Sequence, residues 1–117
     1  MTIRPRRLRT TPAMRALVRE TRVAPAQLIL PVFVRDGIDA PVGIDSMPGV
    51  QQHTLDSLRR AAVEAAELGV GGIMLFGVPA ERDACGSAGD AADGILNVAT
   101  RAVAARTEIA AHAARGC

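Results

Sequence analysis

TLDSLRRAAVEAAELGVGGIMLFGV (residues 54–78), set behind LILPVFV (residues 28–34), decides the fold. Thr54 offers its hydroxyl as an N-cap, and Asp56 stands in the first turn, where the helix dipole favours an acid. Leu55, Leu58, Ala62, Ala65 and Leu68 recur at helical spacing, and Gly69 is placed to end the helix. An apolar run follows at once, VGGIMLFGV at 70–78, and like 28–34 it reads as a strand buried on both faces. Strand, helix and fully apolar strand predict a βαβ unit in a parallel sheet. Pro31 conflicts with this reading, because a central strand has no use for a residue without an N–H.

Outward from that unit the signals weaken. Residues 35–53 (RDGIDAPVGIDSMPGVQQH) are punctuated by Asp, Gly and Pro and read as a long connection. Residues 79–94 (PAERDACGSAGDAADG) form a second polar loop, with Asp93 as cap of a helix whose apolar face is Ile95, Val98, Ala99, Ala102 and Val103. The stretch 107–117 (TEIAAHAARGC) is alanine-rich without a β-branched cluster, which predicts a prolonged helix rather than a third strand. The organisation expected is a basic arm over 1–27, βα units over 28–106 and an Ala-rich tail over 107–117. Two such units and an arm do not close a domain.

Charge and composition exclude several functions. All 14 basic residues are arginine, and without lysine there is no side-chain Schiff base. Residues 1–22 hold seven arginines against Glu20 alone, a +6 arm, while the remaining 95 residues carry −4. The arm lacks the apolar core of a secretory signal and the serine of a transit peptide, so it reads as a subunit-docking segment or a solvated tail. Phe33 and Phe76 are the only aromatics, which leaves nucleic-acid modules without stacking platforms. RNA contact through phosphates alone ranks below docking. No run approaches the roughly 18 apolar residues of a membrane span. Alanine supplies 22 residues, and the large apolar set of 33 suffices for a modest core only. Two cysteines, Cys85 and Cys117, fit a reducing, cytoplasmic setting.

No catalytic constellation emerges from spacing. GVGG at 69–72 follows a helix and precedes a strand, the reverse of a nucleotide fingerprint. CGSAG at 85–89 would need glycine at Cys85 to be a nucleophile elbow, so Ser87 reads as a loop residue. A calcium loop begun at Asp83 would end on Gly94 instead of a glutamate, so Asp83, Asp90 and Asp93 read as turn and cap residues. Cys85, Cys117, His53 and His112 lack zinc-ligand spacing, and neither catalytic nor metal-ligating residues are assigned. A Cys85–His53 couple stays open, with inert loop roles favoured. Glu64 and Glu67 lie opposite the apolar stripe of their helix, where solvation is the expected role.

Connected stretches nevertheless carry a family likeness. RPRRLRTTPAMRALVRET, LILPVFVRDG, SMPGV at 46–50, LFGVP at 75–79 and RDACGSAGDAADG at 82–94, in this order, resemble the porphobilinogen synthase (delta-aminolevulinic acid dehydratase) family from residue 4 to about 104. Pro31 then matches a family strand of pattern I-x-P-x-F-V. The resemblance implies an α/β fold: a partial (β/α)8 TIM barrel, arm plus about the first two βα units, not closed in this chain. It implies condensation of two 5-aminolevulinate molecules to porphobilinogen in haem and tetrapyrrole synthesis, performed by Schiff-base lysines with zinc or magnesium in complete members. It also implies a homo-octamer in which the arm wraps a neighbouring subunit.

Little carries over residue by residue. Phe76 matches the phenylalanine of the family's FGVP, at a barrel rim, where it lines the pocket or packs in the core. Cys85 does not match the family's metal-binding cysteines, which follow the third strand, and the lysines belong to later strands. From 105 the text ARTEIAAHAARGC departs from the family pattern, and the expectation is a truncated product from a stop, a frameshift or a misplaced gene boundary. Such a chain is predicted to be catalytically incompetent. The alternative is an assembly piece whose arm docks on full-length subunits.

Overall fold

The structure, a computed structural model, describes residues 6–114. A one-turn 3-10 segment at Arg7–Arg9, helix α1 (Pro12–Leu17) and a second 3-10 turn at Pro25–Gln27 make up the arm. Then come strands β1 (Ile29–Arg35), β2 (Val42–Gly43) and β3 (Gln51–His53), helix α2 (Leu55–Glu67) and strand β4 (Gly72–Val78). The chain continues through helices α3 (Ser87–Asp90) and α4 (Ile95–Ala104) to strand β5 (Ala110–Ala114). One five-stranded sheet runs in the order β2-β3-β1-β4-β5, with β3, β1, β4 and β5 parallel and β2 antiparallel to β3.

Helix α2 begins where its cap chemistry predicts. Thr54 Oγ1 accepts from the Ser57 N–H at 3.2 Å, and Ser57 Oγ accepts from the Thr54 N–H at 3.0 Å. Gly69 ends it with φ 77°, a left-handed conformation that glycine adopts without a Cβ penalty. Leu58, Ala62 and Ala65 face the sheet and are buried, while Leu68 remains exposed. Val32 and Val34 of β1, Ile73 and Leu75 of β4, and Leu96, Ala99 and Val103 of α4 complete one core cluster between the sheet and the two long helices. Among the described residues, helices cover this one face alone.

Pro31 fits for a positional reason. β3 pairs with β1 only at Phe33–Gln52 and Val34–His53, so at Pro31 one side of β1 is an edge.

Several expectations need correction. The connection 35–53 contains β2 and β3, elements too short for periodicity to reveal. Asp93 does not cap α4; Gly94 is the N-cap and no side chain bonds there. The helix is not prolonged into the tail, and residues 110–114 are a third long-range parallel strand, paired from Gly72–Ala110 to Phe76–Ala114. Alanine is a poor strand former, but the open backbone edge of β4 and the packing of α4 beside β5 override propensity. The βα region therefore continues beyond residue 106. The remainder of the tail, 115–117, and residues 1–5 of the arm lie outside the described residues.

The arm adds little to the core. None of its helical segments buries a residue, and Leu8, Leu17 and Val23 are 55%, 74% and 73% exposed. The radius of gyration is 20.0 Å, against roughly 13 Å for a compact chain of this length. Its C-terminal end is tied to the sheet by the Gly71 N–H, which donates to the carbonyls of Pro25 at 3.2 Å and Leu28 at 3.1 Å.

Candidate functional site

Side chains alternate across a strand, so the residues between the buried valines of β1 point away from the helices. Pro31, Phe33 and Arg35 align with Met74, Phe76 and Val78 of β4 on that second face, and Gln52 of β3 aligns with Phe33. No element among the described residues packs over it. The Phe33 and Phe76 rings stack at 5.2 Å with an interplanar angle of 23°, and both are half-buried. Arg35 Nη1 donates to Gln52 Oε1 at 3.1 Å, which ties the end of β1 to β3 and leaves the other guanidinium donors without a hydrogen-bond partner among the described residues. The result is an aromatic floor beside a cation at the C-terminal ends of parallel strands, where ligands of α/β sheets collect.

The loop 79–94 rises from the same end. The Ser87 N–H donates to Asp83 Oδ1 at 2.9 Å, and hydrogen bonds from Ser87 hold the exposed Asp83 carboxyl below the usual carboxylate range. Asn97 Nδ2 donates to the carbonyls of Gly89 at 3.2 Å and Ala91 at 2.7 Å, pinning the loop to the first turn of α4. Gly77 lets α4 approach the strand: a Cβ there would stand 2.9 Å from Leu96 Cβ. Ser87 is exposed and opens the short α3, with its N–H on Asp83, consistent with a turn role.

His53 belongs to the opposite, helix-side face, in register with Val34. Its Nδ1 lies 2.9 Å from Ser57 Oγ, and burial pushes its pKa below the ordinary value. The Ser57 hydroxyl is engaged in capping α2, so the pair is a helix-start device. Cys85 is exposed in the loop, and no hydrogen bond joins it to His53 among the described residues. Cys117 lies outside the described residues, and His112 occupies a β5 position in register with Met74. Among the described residues no three His, Cys, Asp or Glu side chains gather to hold a metal ion. Glu64 and Glu67 line an open groove on the outer face of α2 with Arg60 and Arg106, far from the aromatic floor in the layering. No described helix is long and apolar enough to cross a membrane.

Phe76, singled out from sequence, thus lies outside the buried core cluster and beside Phe33. Arg35 and Gln52 were not singled out. Period-2 alternation from Phe33 places Arg35 on this face, while Gln52 depends on the pairing of a three-residue strand.

Comparison with known proteins gives the frame for this geometry. The family model described as "Delta-aminolevulinic acid dehydratase" matches residues 2–113, past residue 104 where the quoted motifs stop. The delta-aminolevulinic acid dehydratase of Streptomyces coelicolor is 62% identical over 104 residues, 87% of this chain and 32% of that protein. The enzyme of Mycobacterium leprae is 64% identical over 103 residues, 86% of this chain and 31% of its own length. The crystal structure of the delta-aminolevulinic acid dehydratase (porphobilinogen synthase) of Toxoplasma gondii, in complex with the reaction product porphobilinogen, superimposes with a TM-score of 0.86 at 33% identity, over 97% of this chain and 33% of that one. The chain spans about a third of the length of the relatives it matches. On the family match across residues 2–113 and on these identities, the chain belongs to the delta-aminolevulinic acid dehydratase family.

Proposed function

We propose that this chain supplies the arm and the opening βα units of a (β/α)8 barrel of porphobilinogen synthase type, and that alone it does not condense 5-aminolevulinate. The observation that carries this reading is chemical. Condensation through an iminium needs a primary amine that adds to the substrate ketone and, with loss of water, forms C=N⁺. The chain holds no lysine, so Met1 offers its one primary amine, at the α-position. What the described residues do offer is a place for substrate. Phe76 lines the pocket from the uncovered sheet face, where its stack with Phe33 supplies a flat apolar surface. Family substrate and product would approach it from the C-terminal ends of β1 and β4.

Zinc or magnesium serves complete members of the family as cofactor. The described residues do not fit such an ion, since no set of three ligands comes together, and no step in this chain is assigned to one. As partners the reading names 5-aminolevulinate and further subunits of a homo-oligomer, an octamer in complete members, joined through the arm in the cytoplasm. A second reading, an assembly piece whose arm docks on full-length subunits, is favoured by the exposed Leu8, Leu17 and Val23 on a +6 segment.

Incubation of the purified 117-residue chain with 5-aminolevulinate and borohydride, followed by peptide mass mapping, tests the first reading. Adduct confined to the amino terminus is the expected result. A specific internal adduct, or pyrrole formation free of contaminating complete enzyme, overturns it. Co-purification with a complete homologue supports the assembly reading, and a clean failure to associate removes it.

A further inference from the structure

We propose that Gly71 is the positioning residue of the arm: it seats the Pro25–Gln27 turn on the start of β4 and so fixes the direction in which residues 6–24 leave the sheet. The β1–β4 ladder begins at Ile29–Gly72. One residue before it, the Gly71 N–H is shared between the Leu28 carbonyl at 3.1 Å and the Pro25 carbonyl at 3.2 Å. The first bond extends the ladder by one step, and the second draws the turn back over it. The Leu28 N–H closes the same turn on the Pro25 carbonyl at 3.0 Å, and Gln27 Oε1 accepts from the Ala24 N–H at 2.9 Å. Among the described residues, no hydrogen bond joins 6–24 to the sheet or to α2 and α4. The direction of the arm is therefore set at this junction.

Only glycine admits so close a seat. A Cβ at position 71 would stand against the Ala26 carbonyl oxygen, 2.9 Å from the carbon of that carbonyl and 3.3 Å from the Leu28 oxygen. These atoms are backbone, so no change of rotamer relieves the contact and the turn must lift. Gly71 has no positive φ, unlike Gly69 two residues earlier, so approach rather than conformation requires it. The consequence rests on the reading of the arm as a docking segment. An arm with a fixed base docks without the entropy cost of ordering that base. Leu8, Leu17 and Val23, exposed on the +6 segment, are then presented to a partner subunit from a fixed point of departure.

Two measurements on the full chain test this. In the first, trypsin cleavage is followed by mass spectrometry at Arg22–Val23, beside the turn, and at Arg9–Thr10, far out on the arm. Loss of the two Gly71 bonds raises the open population of the base about tenfold. Gly71→Ala is therefore expected to speed cleavage after Arg22 by that factor and to leave cleavage after Arg9 unchanged. Gln27→Ala removes the acceptor of the Ala24 N–H and leaves β4 untouched. It is expected to shift cleavage after Arg22 in the same direction, and it decides the test if Gly71→Ala loses its far-UV circular dichroism. Unchanged rates, or equal acceleration after Arg9 and Arg22, overturn the proposal. The second measurement is the affinity of the parent chain and of each variant for the immobilised complete Streptomyces coelicolor enzyme, with about tenfold weaker binding expected for Gly71→Ala. Equal binding by parent and variant overturns the positioning role. A parent chain that does not bind removes the docking reading, and the cleavage ratio then decides the seat at Gly71 by itself.

Discussion

Leu75 and Phe76 are neighbours in β4 on opposite faces of the sheet, and truncating each to alanine measures where the core lies. Leu75 is 0% exposed and packs among Val34, Leu58 and Val103 in the helix-side cluster. Leu75→Ala removes about three methylene-equivalents and leaves a cavity that α2 and α4 cannot fill, a cost of about 3–4 kcal/mol. A buried phenylalanine would cost about as much or more. Phe76, however, is half-buried, and its defined partner is the Phe33 ring at 5.2 Å. The stack contributes about 0.5–1.5 kcal/mol beyond area, so Phe76→Ala is expected to cost about 1–2 kcal/mol in all. The chain lacks Trp and Tyr, so urea unfolding is followed by far-UV circular dichroism. With a urea slope of about 1–1.5 kcal/mol/M, the midpoint falls by about 2 M or more for Leu75→Ala and by roughly 1 M for Phe76→Ala. Equal losses would refute the reasoning, since they would mean that the aromatic face is covered as completely as the helix-side core.

Three further expectations follow from single positions. Burial lowers the His53 pKa, so the unfolded chain takes up the proton first. Stability is therefore full above the unfolded value of about 6.5 and declines as pH falls below it; urea midpoints at successive pH values should show a smaller loss in His53→Asn than in the parent chain. Thr54→Ala removes the acceptor of the Ser57 N–H and is expected to cost about 1 kcal/mol in urea unfolding, with no loss marking the cap as idle. Gly77→Ala forces a Cβ to 2.9 Å from Leu96 Cβ and should destabilise by about 1–3 kcal/mol, whereas Gly43→Ala, with open space around it, should change the midpoint little.

The βαβ unit was legible because its signals agree: a hydroxyl cap at Thr54, apolar spacing of 3 and 4, a glycine stop at Gly69 and an uninterrupted apolar run. β3 was not, since Gln51–His53 gains strand structure from pairing with β1, which no local pattern encodes. β5 was misread for a related reason. Its alanines point to helix, and only the vacant edge of β4 decides otherwise. At α4, Ala99 and Val103 of the expected stripe are buried, and the omission is Leu96, which is buried and meets Gly77. At the site, Phe76 stood out through a family motif, not through any chemistry of its own. Arg35 was within reach of simple alternation from Phe33, whereas the Asn97 clamp on the loop rests on carbonyls six and eight residues upstream and has no sequence signature.

Shape and reactivity rest on different amounts of sequence. Among the described residues, shape is distributed over ten buried apolar side chains, the Thr54–Ser57 cap and close glycine contacts such as that of Gly77, so any one substitution weakens it by about 1–4 kcal/mol without redirecting it. Iminium chemistry is concentrated in a single primary amine, for which arginine is no substitute: its guanidinium stays protonated and has no free lone pair at physiological pH. An all-arginine chain therefore keeps its strand order and its Phe33–Phe76 floor while offering no lysine amine. The uncovered aromatic face follows from the same division. Its residues are spaced to meet something across the sheet, and among the described residues helices meet the other side alone.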